Sequence, residues 1–187
     1  MVAKPARATY ADLEALPANR VGEILFGVLY SHPRPAIPHT HVSTALGAEI
    51  FGPFHRGRGG PGGWIILDEP ELHLGAEPDV VVPDLAGWRR ERLAHAPDAA
   101  FIEAAPDWIC EVVSASTEAI DRSDKMTIYA RERVRHAWLI DPSIETLEVF
   151  RLDGDTWRML KTWRGRSVVR AEPFDAIELD LAVLWDR

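Results

Sequence analysis

Cysteine is almost absent from this chain. Cys110 stands alone, so no disulfide can form within the molecule, and its place inside an apolar run marks it as a small buried side chain of a reducing compartment. No stretch approaches the roughly 20 consecutive apolar residues that a membrane helix requires, and Met1 to Tyr10 lack the apolar segment of a secretory signal. The expected location is cytoplasmic, without membrane association. Positive charge is also short: the formal net charge is −8, which argues against a general nucleic-acid-coating protein because such binding depends on Lys and Arg neutralising phosphates. The glycine-rich segment Arg56 to Gly63 lacks the Gly-Lys-Ser/Thr ending of a nucleotide phosphate loop.

What remains is an ordinary globular composition, 47% hydrophobic over 187 residues, expected to form one domain spanning residues 1–187. Charge is unevenly spread. Asp68 to Asp84 holds six acidic residues and no Lys or Arg, whereas Arg151 to Arg170 holds six basic residues against two acidic ones. The first segment suits a cation and the second a polyanion, although solvated surface accounts for either.

Thr9 precedes Tyr10, Leu13 and Leu16 at helical spacing, which predicts a short capped helix ending before Pro17. Val21 to Tyr30 reads as a hairpin broken at Gly27. Val42, Ala45, Leu46, Glu49 and Ile50 predict an amphipathic helix, and Arg56 to Gly63 a flexible connection. Trp64 to Leu67, Val80 to Val82 and Trp108 to Val113 have the β-branched and aromatic content of inner strands. A helix over about Thr117 to Arg131 and a strand over His136 to Ile140 complete a parallel crossover with the third of these. Leu147 to Phe150 and Trp157 to Trp163, turning at Asp153-Gly154-Asp155, form an antiparallel meander. The expected fold is α/β, a mixed, mostly antiparallel sheet flanked by helices.

Glu111 is the most informative residue. In Trp108-Ile109-Cys110-Glu111-Val112-Val113 both faces of the strand are otherwise apolar, and an unpaired buried carboxylate costs several kcal/mol, so a cation, a basic side chain or a raised pKa must accompany it. A structural ion pair is the plain alternative. Asp79, fixed by Pro78 at the start of Val80-Val81-Val82, raises the same question at the mouth of another strand. Lys125 shares a helix face with the apolar Ile128 and Tyr129, so it points toward the sheet. Asp121 lies one turn before it, and an exposed ion pair between the two is the competing reading. Two carboxylates that hold Mg2+ or Mn2+, with an ammonium beside them, suit phosphodiester hydrolysis.

At these residues the sequence resembles the PD…(D/E)xK nuclease superfamily, and within it the bacterial Uma family. The resemblance is carried by Glu23 to Leu29, His39, Pro78-Asp79-Val80-Val81-Val82, Pro106-Asp107 through Glu111 to Thr117, Asp121 with Lys125, Tyr129-Ala130, and Trp138 to Pro142; the run from Pro106 to Pro142 is the specific part. The resemblance implies a restriction-endonuclease-like core in which Asp79 and Glu111 bind the metal, Lys125 supplies the amine and Glu23 is a further acidic position. The superfamily's lysine two residues after the second carboxylate is missing, since Val113 stands there, and the following helix supplies the amine instead.

His39 and His41 point to different helix faces, so at most one reaches the site, and the resemblance implies that it is His39. Arg89, Arg90 and Arg92 lie in a connection able to touch a phosphate backbone or simply to be solvated, and Ser114, Ser116 and Thr117 are expected to cap the following helix. The reading that follows is a Mg2+- or Mn2+-dependent DNA endonuclease acting as a homodimer. The alternatives are a non-catalytic nucleic-acid-binding or regulatory module on the same fold, and a metal-independent hydrolase using paired carboxylates.

Overall fold

The structure, a computed structural model, describes residues 6–186; the first five residues of the segment judged to lack a secretory signal lie outside the described residues. Thr9 caps helix α1 (Tyr10–Glu14) in a reciprocal capping box with Asp12. Strands β1 (Arg20–Leu25) and β2 (Val28–Pro33) form the expected hairpin. Its turn places Phe26 at φ 52 and Gly27 at φ 80, the left-handed pair that a two-residue turn of matching twist demands. Helix α2 (Ile37–Ile50) starts earlier than the apolar spacing suggests, because Pro38 fits the first turn, and it buries Val42, Leu46 and Ile50. A π-helical turn (Phe51–His55) extends it into the glycine-rich loop.

Two large sheets and a small third one form rather than a single sheet. Strands β3 (Trp64–Asp68), β6 (Leu85–Arg89), β7 (Trp108–Val112), β8 (His136–Asp141), β9 (Thr146–Asp153) and β10 (Thr156–Arg164) make a six-stranded sheet in the order β10-β9-β8-β7-β6-β3. Strands β4 (Leu72–Leu74) and β5 (Asp79–Val81) join the first hairpin in a four-stranded sheet of order β2-β1-β5-β4. Of the three segments expected as inner strands, β7 is inner, β3 is an edge, and β5 is inner in the other sheet. Within the six-stranded sheet β7 and β8 pair in parallel and the remaining neighbours are antiparallel, as the crossover predicts. Trp88 and Arg89, read from sequence as part of a loop, belong to β6; the indole of Trp88 is fully buried and donates to Ala104 O at 2.7 Å.

The crossover itself is helical throughout: α3 (Glu118–Ile120), a π-helical turn (Asp121–Lys125) and α4 (Met126–Arg131) run end to end. The C-terminal segment adds the pair β11 (Val168–Val169) and β12 (Leu179–Asp180) and the short helix α5 (Ala182–Trp185). Strand alternation divides the core. Trp108, Cys110 and Val112 of β7 face α2, α5 and Phe174, whereas Ile109 and Val113 face α4 and the four-stranded sheet. Glu111 therefore projects into the second layer, between Ile109 and Val113, on the side from which the crossover helix approaches. Among the described residues no helix is long and apolar enough to cross a membrane.

Candidate metal centre

Four elements deliver charged groups to one small cavity of about 40 Å³, space for one or two water-sized groups. Glu23 comes from β1, Asp84 from the residue preceding β6, Glu111 from β7, and Asp121 with Lys125 from the π-helical turn; all are buried. The wider turn carries both of the last two inward on one face, in a conformation often found at functional positions.

The ammonium of Lys125 is the hub. Its Nζ lies 2.8 Å from Glu111 Oε1, 3.1 Å from Glu23 Oε1 and 3.6 Å from Asp121 Oδ1. Tyr129, one turn further on, donates its hydroxyl to Glu111 Oε1 at 2.6 Å. Both donors thus hold one oxygen of Glu111, leaving Oε2 without a donor among the described residues. Glu23 Oε1 also accepts the Val82 N–H at 2.8 Å, which ties β1 to the segment leading from β5 into the site. Asp84 accepts the Val112 N–H at 2.6 Å through Oδ2, while its Oδ1 sits 3.2 Å from His39 Nε2. His39 opens α2, as expected, and His41 turns the other way, toward Val183 O.

The electrostatics are unbalanced. Four carboxyl groups face the Lys125 ammonium and the His39 imidazole, so full ionisation would leave three negative charges over with His39 neutral and two with it protonated. Burial drives the Glu111 carboxyl well above the usual range, and Asp121, Asp84 and Glu23 push it further against the opposing pull of Lys125. Asp121 is raised by burial too, partly offset by Lys125. Burial alone would lower Lys125, but Glu111 and Glu23 outweigh it and hold the amine well above its ordinary value. Its contacts with Glu111 and Glu23 thus favour the charged amine. The donor set fits a divalent ion: hard oxygens, surplus negative charge, and an unshared oxygen on Glu111. Among the described residues no three His, Cys, Asp or Glu side chains stand in a ligating arrangement. An ion here would take one or two carboxylates and complete its shell with water, which is the habit of Mg2+.

The structure brings together Glu23, Glu111 and Lys125 of the residues expected from sequence, and it does not bring Asp79 to them. Asp79 opens β5, whereas Asp84 lies beyond the far end of that strand, in the bend that leads into β6. Asp79 instead accepts the Phe26 N–H at the hairpin turn and pairs with Arg131 Nη2 at 2.8 Å. It serves as a strut between the hairpin and the end of α4, where its charge is already balanced. Asp84 was missed although it also follows a proline, Pro83, and also leads into an apolar strand. The recurrence of Pro-Asp five residues on was the available signal.

Other readings separate as well. Arg92 pairs with Asp107 at 2.8 Å and Arg90 donates to Ala94 O and His55 O, so these cations bind the protein itself. The hydroxyls of Ser114, Ser116 and Thr117 bond one another at 2.9 and 3.0 Å instead of capping α3, whose first amides are satisfied by backbone carbonyls of Ser114 and Thr117. Of the basic residues from 151 to 170, Arg158, Lys161 and Arg164 lie on β10, at an edge of the sheet three strands from β7.

Residues 8–183 match the Uma2 family, described as "Putative restriction endonuclease". The chain belongs to that family. The solved crystal structure of a putative nuclease belonging to DUF820 from Anabaena variabilis is similar over 95% of this chain and 97% of that one, with a TM-score of 0.75 and 19% identity. At that identity the likeness speaks for the fold, the mixed α/β architecture expected from the sequence. No curated protein matches the chain. In this Uma2 chain the fold surrounds a buried acidic cavity, with the Lys125 ammonium inside it.

Proposed function

We propose that this chain is a metal-dependent endonuclease that hydrolyses phosphodiester bonds in DNA, with Mg2+ or Mn2+ held by Asp84 and Glu111. The observation that carries the reading is the uncompensated negative charge buried around Lys125, which a divalent ion would neutralise. Membership of the Uma2 family supports it. When bound, the ion supplies Lewis acidity at the phosphoryl group.

The chain's own residues perform the other tasks. Tyr129 and Lys125 fix one oxygen of Glu111 so that the other faces the cavity. The Val112 amide and His39 orient Asp84. Lys125, kept protonated by Glu111 and Glu23, serves as a fixed positive charge for the transition state and not as a proton acceptor. Glu23 and Asp121 position that amine. Cutting both strands of a duplex is served by two such centres, so a homodimer is the proposed working form.

Calorimetric titration with Mn2+ and a plasmid-nicking assay test this reading. Binding and metal-dependent nicking are expected in the wild type, and both are expected to vanish in Glu111→Ala. Absence of any divalent-ion binding would remove the mechanism. The net charge of −8 favours a second reading, a non-catalytic module on the same fold. That reading requires nicking to be absent from the wild type, or equal in Lys125→Ala and the wild type.

A further inference from the structure

A groove of about 690 Å³ runs between the outer face of α2 and the edge strand β3. It starts beside the metal centre: Asp68 and Leu85 in its wall are chain neighbours of Glu69 and Asp84, which line the site cavity. It ends at Arg56 and Arg58, on the loop that follows the π-helical turn of α2. Both guanidinium groups are exposed. Among the described residues neither has a carboxylate within ion-pair distance; Arg56 only overhangs the Phe51 ring at 5.5 Å. In a chain of net charge −8, whose nearby Arg90 and Arg92 are engaged with the protein itself, such free cations are scarce.

The loop that carries them is built rather than slack. The Arg58 N–H donates to Gly52 O and the Gly62 N–H to Pro53 O, both at 2.9 Å. Gly60 packs so closely on Pro53 that a Cβ there would meet backbone at 2.9 Å, so the approach requires glycine. From His39, at the centre, to Phe51, beside the arginines, α2 advances twelve residues, about 18 Å. With one phosphate per about 3.4 Å of each strand, that reach corresponds to about five phosphates.

We propose that this groove carries the DNA strand leaving the scissile phosphate, with Arg56 and Arg58 as its phosphate contacts. The inference rests on the reading of the site as a DNA hydrolase and adds the path of the substrate. The groove wall is mainly apolar and small-sided on α2, at Thr44, Gly47 and Ala48, so the backbone of a strand approaches closely while base identity goes unread. Asp68, at the end next to Asp84, has its carboxyl raised by burial and by the Asp84 charge.

The test is fluorescence anisotropy of a labelled 20-base-pair duplex, with Ca2+ in place of Mg2+, across a salt series. Against the wild type, the double variant Arg56→Ala/Arg58→Ala is expected to reduce the slope of log affinity against log salt by about 1.8, at about 0.9 per phosphate contact, equally for unrelated sequences. Ala48→Glu, an exposed helical substitution, is expected to weaken binding as well. Arg158→Ala/Lys161→Ala on β10 is expected to leave the slope unchanged. Melting temperature and Mn2+ binding of each variant check that fold and centre are intact.

Plasmid nicking by the wild type with an unaltered slope in the double variant would overturn the groove assignment alone. A slope lost through the β10 variant would overturn it too. Failure of the wild type to bind the duplex would overturn both the groove and the DNA reading. An arginine-dependent slope without nicking would uphold the groove and remove the hydrolytic reading.

Discussion

Asp79→Asn and Asp84→Asn make the same chemical change five residues apart, and the structure assigns them opposite consequences. In Asp79→Asn the side chain keeps an oxygen for the Phe26 N–H but turns an amide, or no charge at all, toward Arg131. Asp79 is 1% exposed, which would make the loss large, but the Arg131 side chain is 42% exposed and solvent takes up much of its charge. The discounted cost is about 2 kcal/mol, or a fall in melting temperature of about 4–8 °C for a chain of this size. Mn2+ affinity should stay within about threefold, since the strut lies roughly 9 Å, six helical residues, beyond Lys125. In Asp84→Asn the Val112 N–H keeps an acceptor, so the melting temperature should change little. Mn2+ affinity should fall by at least about a hundredfold, because a charged donor is lost from a centre built on two. Calorimetric titration and thermal unfolding, run on both variants, give four numbers. Loss of Mn2+ binding in Asp79→Asn with its retention in Asp84→Asn would refute the assignment of the centre.

Mn2+ affinity should rise with pH. Burial raises the Glu111 carboxyl against the opposing pull of Lys125, and Asp121, Asp84 and Glu23 raise it further, so over the range between the ordinary carboxylate value and the raised one the ion must displace a proton. Below the raised pKa each unit of pH should change affinity by about tenfold, with a plateau once Glu111 ionises unaided; calorimetry from acid to neutral pH checks this, and flat affinity would contradict it. Lys125→Met should leave Glu111, Glu23 and Asp121 facing one another without a cation, destabilising the ion-free protein by about 3–5 kcal/mol. Added Mn2+ should restore part of that loss in thermal unfolding while nicking stays at least about a hundredfold down. Cys110, fully buried and with its thiol raised by burial, should react with a thiol reagent only after unfolding, as colorimetric titration with and without denaturant would reveal.

Local patterns exposed most of the elements. The capping residue Thr9, the Phe26-Gly27 turn and the spacing of Val42, Leu46 and Ile50 are short-range signals, and the structure follows them. The same holds for the crossover from β7 to β8. Strands β4, β6, β11 and β12 were invisible for a physical reason. Each is short or interrupted by small and polar residues, as in His73 of Leu72–Leu74 or Gly87 of Leu85–Arg89, and becomes a strand only through its partner. The division into separate sheets is likewise a matter of pairing, which residue types do not encode.

The site shows where that boundary lies. Glu111 and Lys125 were legible because each violates the pattern of its own element: a carboxylate on a strand apolar on both faces, an amine on an apolar helical stripe. A violation of that kind survives any rearrangement of the rest of the molecule. Asp79 and Asp84 violate nothing, since each follows a proline and precedes a strand, and choosing between them needs to know which end of β5 meets β7. That is decided by the antiparallel pairing of β5 with β1 at Ile24 and Val80, which sends Val82 and Asp84 toward Glu23 and Glu111 and leaves Asp79 at the hairpin turn. Charge balance then separates the two. Asp79 meets a guanidinium and needs nothing more, whereas three carboxyl groups share the one ammonium of Lys125 and Asp84 stands beside His39, an excess of negative charge that a divalent ion would suit.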